Sequence, residues 1–571
     1  MKRSILKYTN IYILAAGISL SSCSDFLVVE PQNMTALEQF WTEKADVENV
    51  MKGCYSRMLS GDVLERMMIW GEFRSDNITV GKNAAQNIHL TNVLKENLTA
   101  SNAFTTWEGF YNVINRCNTL IKYAPQVSDH DPAFTQGDLA AAVAEASALR
   151  DLCYFYLIRT FRDVPYTTEA FIDDSQKMDL PATPFNDVLD SLITDLERVK
   201  VNATKRYPSN KPIYNTARIT KEAIWAMLCE MYLWKQDYAK CILYADSVID
   251  SKKKEYSTTM SPVELERTNG FPLLSEYAAG SGKFGAAYSD LFISGNSQEA
   301  IFELSYVNKL SSSGAANGTV PYYYGNDVEH VGTVSPSTVV MGASAKLFSN
   351  SKDARYYESC NLNDLSIAKF VCNDVDIENV STDINPSDHV TWGIVPSVNK
   401  CNWIIYRLTD IMLLKAEALI QQMQSGADPA ALASNKPMTD AAFYLINAVN
   451  KRAVCVTTSS LQKTDTLDAT SYQSKEALEK LLMEERQREF LFEGKRYYDL
   501  VRQAMRTGSS AEMANAISKK MTSGGDGLRM RLSKLDAIFW PYNLTELKVN
   551  KNLKQNPAFG SGENDSYSKT N

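Results

Sequence analysis

Histidine is scarce in this chain. The four that occur among 571 residues, His89, His130, His330 and His389, are too scattered to give a metal-ligand spacing. The ten cysteines include no CxxC pair. There is no HExxH, no nucleophile elbow and no glycine-rich phosphate loop, so the common signatures of metal-assisted hydrolysis, serine acyl transfer and nucleotide phosphate binding are all missing. No basic run interrupts a formal net charge of −8, which argues against binding a phosphate backbone. The apolar run from Ile11 to Leu20 is too short to cross a bilayer, which takes roughly 20 apolar residues.

That run has another reading. Lys2, Arg3 and Lys7 precede it and Leu20-Ser21-Ser22-Cys23 follows it, the pattern of a secretory signal peptide over residues 1–22. The cysteine directly after Leu-Ser-Ser resembles the bacterial lipobox, which implies cleavage before Cys23 and lipidation of its thiol and amine. The alternative is an ordinary cleavage site with a chance cysteine. Several acyl chains on one residue hold a protein at a membrane far more firmly than one. Loss of residues 1–22 removes three positive charges and takes the formal charge to about −11. Of the nine remaining cysteines, Cys54, Cys117, Cys153, Cys229, Cys241 and Cys455 sit among apolar residues at helical spacing and read as small buried hydrophobes. Cys360, Cys372 and Cys401 lie in a loop-rich stretch, where one bridge stays open.

Helical periodicity recurs over Phe40–Leu59, Phe104–Tyr123, Leu139–Phe161 and Asp187–Val199, while Trp70–Asn77 (WGEFRSDN) reads as irregular and polar. Ala217–Asp250 is the cleanest helical hairpin, with a turn at Asp237-Tyr238. A second spans Tyr406–Met423 and Asp440–Ala453. Small residues on facing stripes make both tetratricopeptide-like. Between them, Glu255–Asn402 is rich in Gly, Ser, Asn and Tyr, with one strand expected at Glu299–Tyr306. The expected fold class is mainly α: a tetratricopeptide-like helix-hairpin scaffold with a large loop-rich insertion lobe. Its expected parts are the signal at 1–22, a helical region at 23–254, a ligand-binding insertion at 255–402 and a C-terminal region at 403–571.

The stretch Leu481–Arg502 puts Leu478, Leu481, Leu482 and Phe492 on one helical face together with Glu485 and Glu489. Carboxylates on an apolar stripe are costly unless cations meet them. Arg486, Arg488, Lys495, Arg496 and Arg502 are near enough in sequence to do so. The expectation is a structural charge network of Glu485, Glu489, Arg488, Arg496 and Arg502 between two helices that meet at Gly494. A glycosidase pair made of Glu485 and Glu489 fits less well, because such carboxylates face an open cleft from two sides of the scissile bond.

A family resemblance rests on four sets of residues. Glu485-Arg486, Arg488-Glu489-Phe490, Phe492-Glu493-Gly494, Arg496, Asp499-Leu500 and Arg502 look like the C-terminal signature of the SusD/RagB family of outer-membrane lipoproteins. Trp107, Tyr111 and Asn118, then Leu149-Arg150-Asp151 to Arg159 with Val164-Pro165, are similar to its inner helices. The strand stretch at Glu299–Glu303 resembles its E-x-IFE segment. Trp540-Pro541-Tyr542-Asn543, Glu546, Asn550, Leu553 and Gln555-Asn556-Pro557 resemble its ending, with Tyr542 as a departure. The resemblance implies four tetratricopeptide-like helix pairs and a lipid-anchored protein at the outer-membrane surface. The implied protein captures oligosaccharide and passes it to a SusC-like TonB-dependent transporter. It implies no cofactor, no metal, no nucleic acid and no catalysis. A RagB-like peptide binder keeps the same architecture and stays as the alternative.

Sugar rings present flat C–H faces fringed by hydroxyls, so a binder wants exposed aromatic rings beside polar groups. Candidate contacts are Tyr322, Tyr323 and Tyr324 with Asn326, then Tyr277 and Tyr288, then Trp392. Arg74, Asp76 and Asn77 are candidate polar partners, with a turn and helix cap as their equal alternative.

Overall fold

The computed structural model describes residues 40–82, 84–173, 175–278, 282–306, 317–325, 332–341, 347–372, 374–378, 390–393, 401–457, 461–521 and 523–560. Residues 1–22, Cys23, Asn326, His330 and His389 lie outside the described residues.

Helices dominate, and they pack in neighbouring pairs. Helix α1 (Lys44–Met58) precedes α2 (Gly61–Met68), which runs into a π-helical turn at Ile69–Phe73. Helices α3 (Glu108–His130) and α4 (Gln136–Phe161) form the first long hairpin, and α5 (Phe185–Val199) packs on α4. Helices α6 (Lys221–Trp234) and α7 (Tyr238–Tyr256) form the second. Two one- to two-turn helices follow, α8 (Thr319–Tyr324) and α9 (Ala354–Ser359). The array resumes with α10 (Leu408–Gln421), α11 (Pro429–Arg452), α12 (Lys475–Glu489) and α13 (Arg496–Thr507). Side-chain caps set several of the starts. Thr135, Thr220, Asp237, Asp428 and Ser474 each accept a hydrogen bond from a first-turn N–H that has no intrahelical partner.

Helix α7 packs directly on α10 although residues 257–407 intervene. Thin side chains suit this approach: Cys241 and Ala245 on α7 and Ala418 on α10 are all fully buried. The Cys241 sulfur lies 3.6 Å from that of Cys229 and 3.9 Å from the Leu414 carbonyl oxygen. All nine described cysteines are buried and none forms a disulfide, Cys360, Cys372 and Cys401 included. Tetratricopeptide-like hairpins therefore form one continuous array in space, with the loop-rich insertion looping out of it.

The insertion has a stem. Of the strands used below, β1 is Ile78–Val80, β2 Tyr277–Ala278, β3 Lys283–Phe284, β4 Ala300–Leu304, β5 Val334–Pro336, β6 Val375–Glu378, β7 Val390–Trp392 and β8 Trp403–Arg407. Strands β4 and β8 pair antiparallel, Leu304 opposite Trp403 and Ala300 opposite Arg407, and every residue of both is buried. The chain leaves the scaffold after β4 and returns along it in β8. Strand β1 pairs with β5, tying the insertion to the segment after α2. A four-stranded sheet in the order β7-β6-β3-β2 is antiparallel throughout. Its register aligns Val390, Ile377, Phe284 and Tyr277 on one face, with Trp392 opposite Val375 in the next row.

Three sequence expectations change. Helix α3 runs on through Pro125 to His130, past the expected end at Tyr123, and α11 begins at Pro429 and runs through Pro437, well before the expected start at Asp440. WGEFRSDN is neither polar surface nor irregular at its start: Trp70 to Phe73 belong to the π-helical turn, and all eight residues are buried. Its backbone meets the C-terminal signature at the closest range. A Cβ at Gly71 would fall 1.9 Å from the Gly494 carbonyl oxygen, and one at Gly494 would fall 2.9 Å from the Trp403 ring. Gly494 also holds φ at +72°, which glycine adopts freely. The change Gly71→Ala should therefore cost about 1–3 kcal/mol or more, because the methyl meets backbone that cannot give way. Urea unfolding of the variant should show a midpoint well below wild type; an unchanged midpoint would mean the two segments are not in contact.

Candidate functional site

The charged stretch of α12 is enclosed. Glu489 is buried, and its carboxylate meets Arg407 at 2.5 Å, Arg452 at 2.6 Å and Arg355 at 2.9 Å. Glu485 meets Arg355 at 2.7 Å and Arg488 at 2.8 Å. Glu493 meets Lys369 at 2.7 Å and Arg407 at 2.8 Å. A second knot lies one turn away: Arg486 bridges Asp499 at 2.8 Å and Asp410 at 3.0 Å, and Arg502 bridges Asp499 at 2.8 Å and Glu417 at 2.6 Å. Arg496 joins neither glutamate; it pairs with Asp76 at 2.8 Å. The partners of Glu489 are therefore not its sequence neighbours. They come from α9, β8 and α11. Their signal was present in the sequence as charges set inside apolar runs, Arg407 after Trp403-Ile404-Ile405-Tyr406 and Glu417 within α10.

Burial pushes the Glu489 carboxyl up, but Arg452, Arg407 and Arg355 together overcome it and hold the group well below the usual carboxylate range. Burial likewise opposes Arg486 and Arg502 at Asp499, which ends at about 2. Neither Glu485 nor Glu489 faces a cleft, so this pair cannot act as glycosidase acid and base.

The polar residues expected to meet ligand are also internal. Arg74 donates to Glu96 at 2.8 Å and to the carbonyls of Ile538 and Ala537 at 3.0 Å each, and it stacks over Tyr497. Asp76 holds Arg496 and Gln487, and Asn77 donates to Glu72 at 2.7 Å. The Glu72 carboxylate accepts from the backbone N–H groups of Phe492 and Gly494. Burial raises Glu72 to about 7 against these hydrogen bonds. Arg74, Asp76 and Asn77 thus dock the N-terminal segment onto the C-terminal signature and have no free polar face for a sugar.

The aromatic candidates divide. Tyr288 is buried, with its hydroxyl 2.9 Å from the carbonyl oxygens of both Ala368 and Cys372. Tyr323 and Tyr324 are each 1% exposed. The Tyr323 hydroxyl donates to Glu65 at 2.5 Å and that of Tyr324 to the Phe492 carbonyl at 3.0 Å. These three are scaffold residues: α8 turns Val320, Tyr323 and Tyr324 inward on one helical face, and Tyr288 is held by the Ala368 and Cys372 carbonyls. Tyr322 is on the other face and 51% exposed. Its ring stands edge-on against Tyr323, centroids 4.9 Å apart at 84°. Tyr277 is 36% exposed at the β2 edge of the sheet, against Phe284. Trp392 is half-buried on β7, at the opposite edge, and donates from Nε1 to the Tyr357 carbonyl at 2.8 Å. Tyr322 packs through α8 on α2, so the exposed rings occupy two separate elements.

A groove was not foreseen. It encloses about 550 Å3 between α1 and its C-cap (Met51, Tyr55, Leu59), the short helix Tyr214–Ala217 with Arg218 at its end, and the end of β4 at Leu304–Tyr306. Its rim at Ser60 adjoins α8, where the Thr319 hydroxyl lies 3.5 Å from the Gly61 carbonyl.

Glu489→Gln leaves three arginines facing a neutral amide and should destabilise the protein by about 3–5 kcal/mol at neutral pH. The folded-state carboxyl titrates below its unfolded value. Its contribution is therefore complete above about pH 4.5 and is lost as pH falls toward the folded value, so the gap between wild type and variant should narrow in acid. Thermal unfolding of both proteins across pH checks this. Equal melting temperatures at neutral pH would show that the charge is not buried.

Comparison with known proteins agrees with this architecture. A family model described as "SusD family" matches residues 389–559, and one described as "Starch-binding associating with outer membrane" matches residues 25–233. SusD-like protein P38 of Formosa agariphila is 25% identical over 581 aligned residues, covering 97% of this chain and 99% of that protein. A solved laminarin-binding SusD-like protein superposes with TM-score 0.60 at 19% identity, over 90% of this chain and all of that one. A SusD homologue from Bacteroides thetaiotaomicron gives TM-score 0.63 at 15% identity, over 91% of this chain and 98% of that one. Matched at both halves by family models and along its length by SusD-like relatives, the chain belongs to the SusD/RagB family.

Proposed function

We propose that this protein binds glycan at the cell surface and hands it to a SusC-like TonB-dependent transporter, without breaking a bond. The observation that carries the reading is Tyr322: an exposed ring set at a fixed angle by a buried neighbour whose hydroxyl is anchored on α2. A ring already held in place loses little freedom when a sugar stacks on it. Tyr277 and Trp392, at the two edges of the insertion sheet, are the further candidate contacts, and Asn326 follows Tyr322 closely in the chain. The printed description of one family model, starch-binding and associated with the outer membrane, and the laminarin-binding neighbour support a polysaccharide ligand. No described helix is long and apolar enough to cross a membrane. Attachment through Cys23 fits that finding, with residues 1–22 removed as a signal.

Tyr322→Ala should weaken retention in a polysaccharide-containing gel while changing stability by no more than about 0.5 kcal/mol, as for other surface positions. Tyr323→Ala should instead cost several kcal/mol, roughly the price of truncating a core aromatic. A panel including laminarin identifies the glycan; if wild type is retained and Tyr322→Ala is retained equally, the ring is not a contact. Cys23→Ala should abolish acylation and release the protein from the outer-membrane fraction. The strain should lack the transporter, so that only the lipid can hold the protein there. Persistence of the variant in that fraction would refute the lipid anchor.

A further inference from the structure

Glu276 and Glu358 stand beside the network of α12 but outside its pairing. Glu276 ends the loop into β2 and immediately precedes Tyr277; its carbonyl accepts from the N–H groups of Gly285 and Ala286, closing the β2–β3 turn. Glu358 lies on α9, immediately after Tyr357, whose carbonyl holds the Trp392 indole. The two carboxyl groups meet within hydrogen-bonding reach. Two carboxylates offer only acceptors, so a hydrogen bond between them needs one proton.

The surroundings cannot neutralise both. Arg452 is the nearest cation, with Nε 3.6 Å from Glu276, but its Nη atoms are already taken by Glu299 at 3.2 Å and Glu489 at 2.6 Å. Lys369 is committed to Glu493, and Arg267 donates to the carbonyls of Val454 and Val456. Cys455 and Tyr288, both buried, also face the pair and bring no positive charge. Four buried atoms here have no hydrogen-bond partner: Glu276 Oε2, Glu358 Oε1, Glu299 Oε2 and Arg452 Nε.

We propose that Glu276 and Glu358 share a single proton and act as positioning residues for the insertion sheet, fastening its Tyr277 edge and its Trp392 edge to the scaffold until that proton is lost. Loss of the proton places two like charges against each other in a buried site, and the sheet must move off α9 to relieve them. Burial and the Glu276 charge, in that order, push the Glu358 carboxyl well above the usual range, consistent with its holding the proton at neutral pH. The latch rests on the burial of this pair, its unpartnered oxygens and the commitments of the cations around it. Its effect on ligand rests on the reading of Tyr277 and Trp392 as contacts.

Linkage sets the direction. A carboxyl that keeps its proton in the folded state, and releases it near pH 4 when unfolded, makes folding less favourable as pH rises between the two values. Glu72 and Glu303, each raised to about 7, add to any global slope, so the readout must be local. Hydrogen exchange of β2, β3, β6 and β7, corrected for intrinsic rate, should show protection in wild type at about pH 6 and a loss of about tenfold by about pH 9. Glu358→Gln, whose amide donates without a titrating proton, should keep its protection at both pH values. Glu276→Gln should flatten the profile equally and carries the same test should Glu358→Gln not fold. A wild-type sheet equally protected at both pH values overturns the latch, and so do variants that repeat the wild-type loss. Laminarin retention over the same pH range then tests the consequence for ligand, and its failure leaves the exchange result standing.

Discussion

A carboxylate placed in the interior of a helical array is the constraint on which this structure turns. Desolvation opposes the Glu489 charge, and only several cations at hydrogen-bond distance offset it. The chain supplies them from α9, β8 and α11, three segments that are far from α12 in sequence and from one another. None of these segments can be withdrawn without leaving a buried charge uncompensated. The pairing thus makes the C-terminal hairpins and the insertion stem a single unit, which apolar packing alone would specify less sharply. The same logic repeats at Asp499, where Arg486 and Arg502 bind α12 and α13 to Asp410 and Glu417 on α10.

The N-terminal part is joined by a different means. Glu72 accepts from the backbone at Phe492 and Gly494, while Arg74 caps the carbonyls of Ala537 and Ile538. Trp540 donates its backbone N–H to Thr160 on α4, and the Tyr542 hydroxyl reaches the Asp163 carbonyl. Ends of the sequence that resemble the family separately are thus one contact region in space. The Glu72 and Arg74 side chains reach backbone groups here, while at Gly71 and Gly494 the two segments approach too closely for a Cβ on either.

Helix hairpins were legible because burial imposes a 3.6-residue period on residues such as Ala223, Ala226, Met227 and Glu230, whatever their partners are. The π-helical turn and the RSDN run were not, since polar residues between helices usually face water and nothing local marks them as buried. What buries them is a surface 400 residues away. The tyrosine cluster held a signal that went unread: Val320, Tyr323 and Tyr324 fall at i, i+3 and i+4, the inward stripe of one helical turn, which leaves Tyr322 as the outward ring. Pro321 and Gly325 are residues common in turns, which masks that stripe in the sequence, and a loop gives no reason to sort the three. Partners for Glu489 were sought among neighbours in sequence, although a residue on a buried stripe meets whatever packs across from it.

The scaffold and the proposed binding surface depend on each other physically. Stacking a sugar on one aromatic ring is a weak contact, so a useful affinity needs rings that are already positioned and more than one of them along the glycan. Tyr322 is positioned through Tyr323, Glu65 and Arg66, a chain of contacts that ends on the carbonyls of Ala103 and Thr106 beside α2. Tyr277 and Trp392 are positioned by a four-stranded sheet that is tied on the α9 side through the Trp392 indole and the Tyr357 carbonyl, next to Glu358. The two platforms are therefore held with unequal firmness. One is fixed by ring packing and the part-buried Glu65–Arg66 ion pair, the other by a buried pair of carboxyl groups. A glycan spanning both would find one constant anchor and one adjustable one, and the adjustable one is where release can be governed without disturbing the fold.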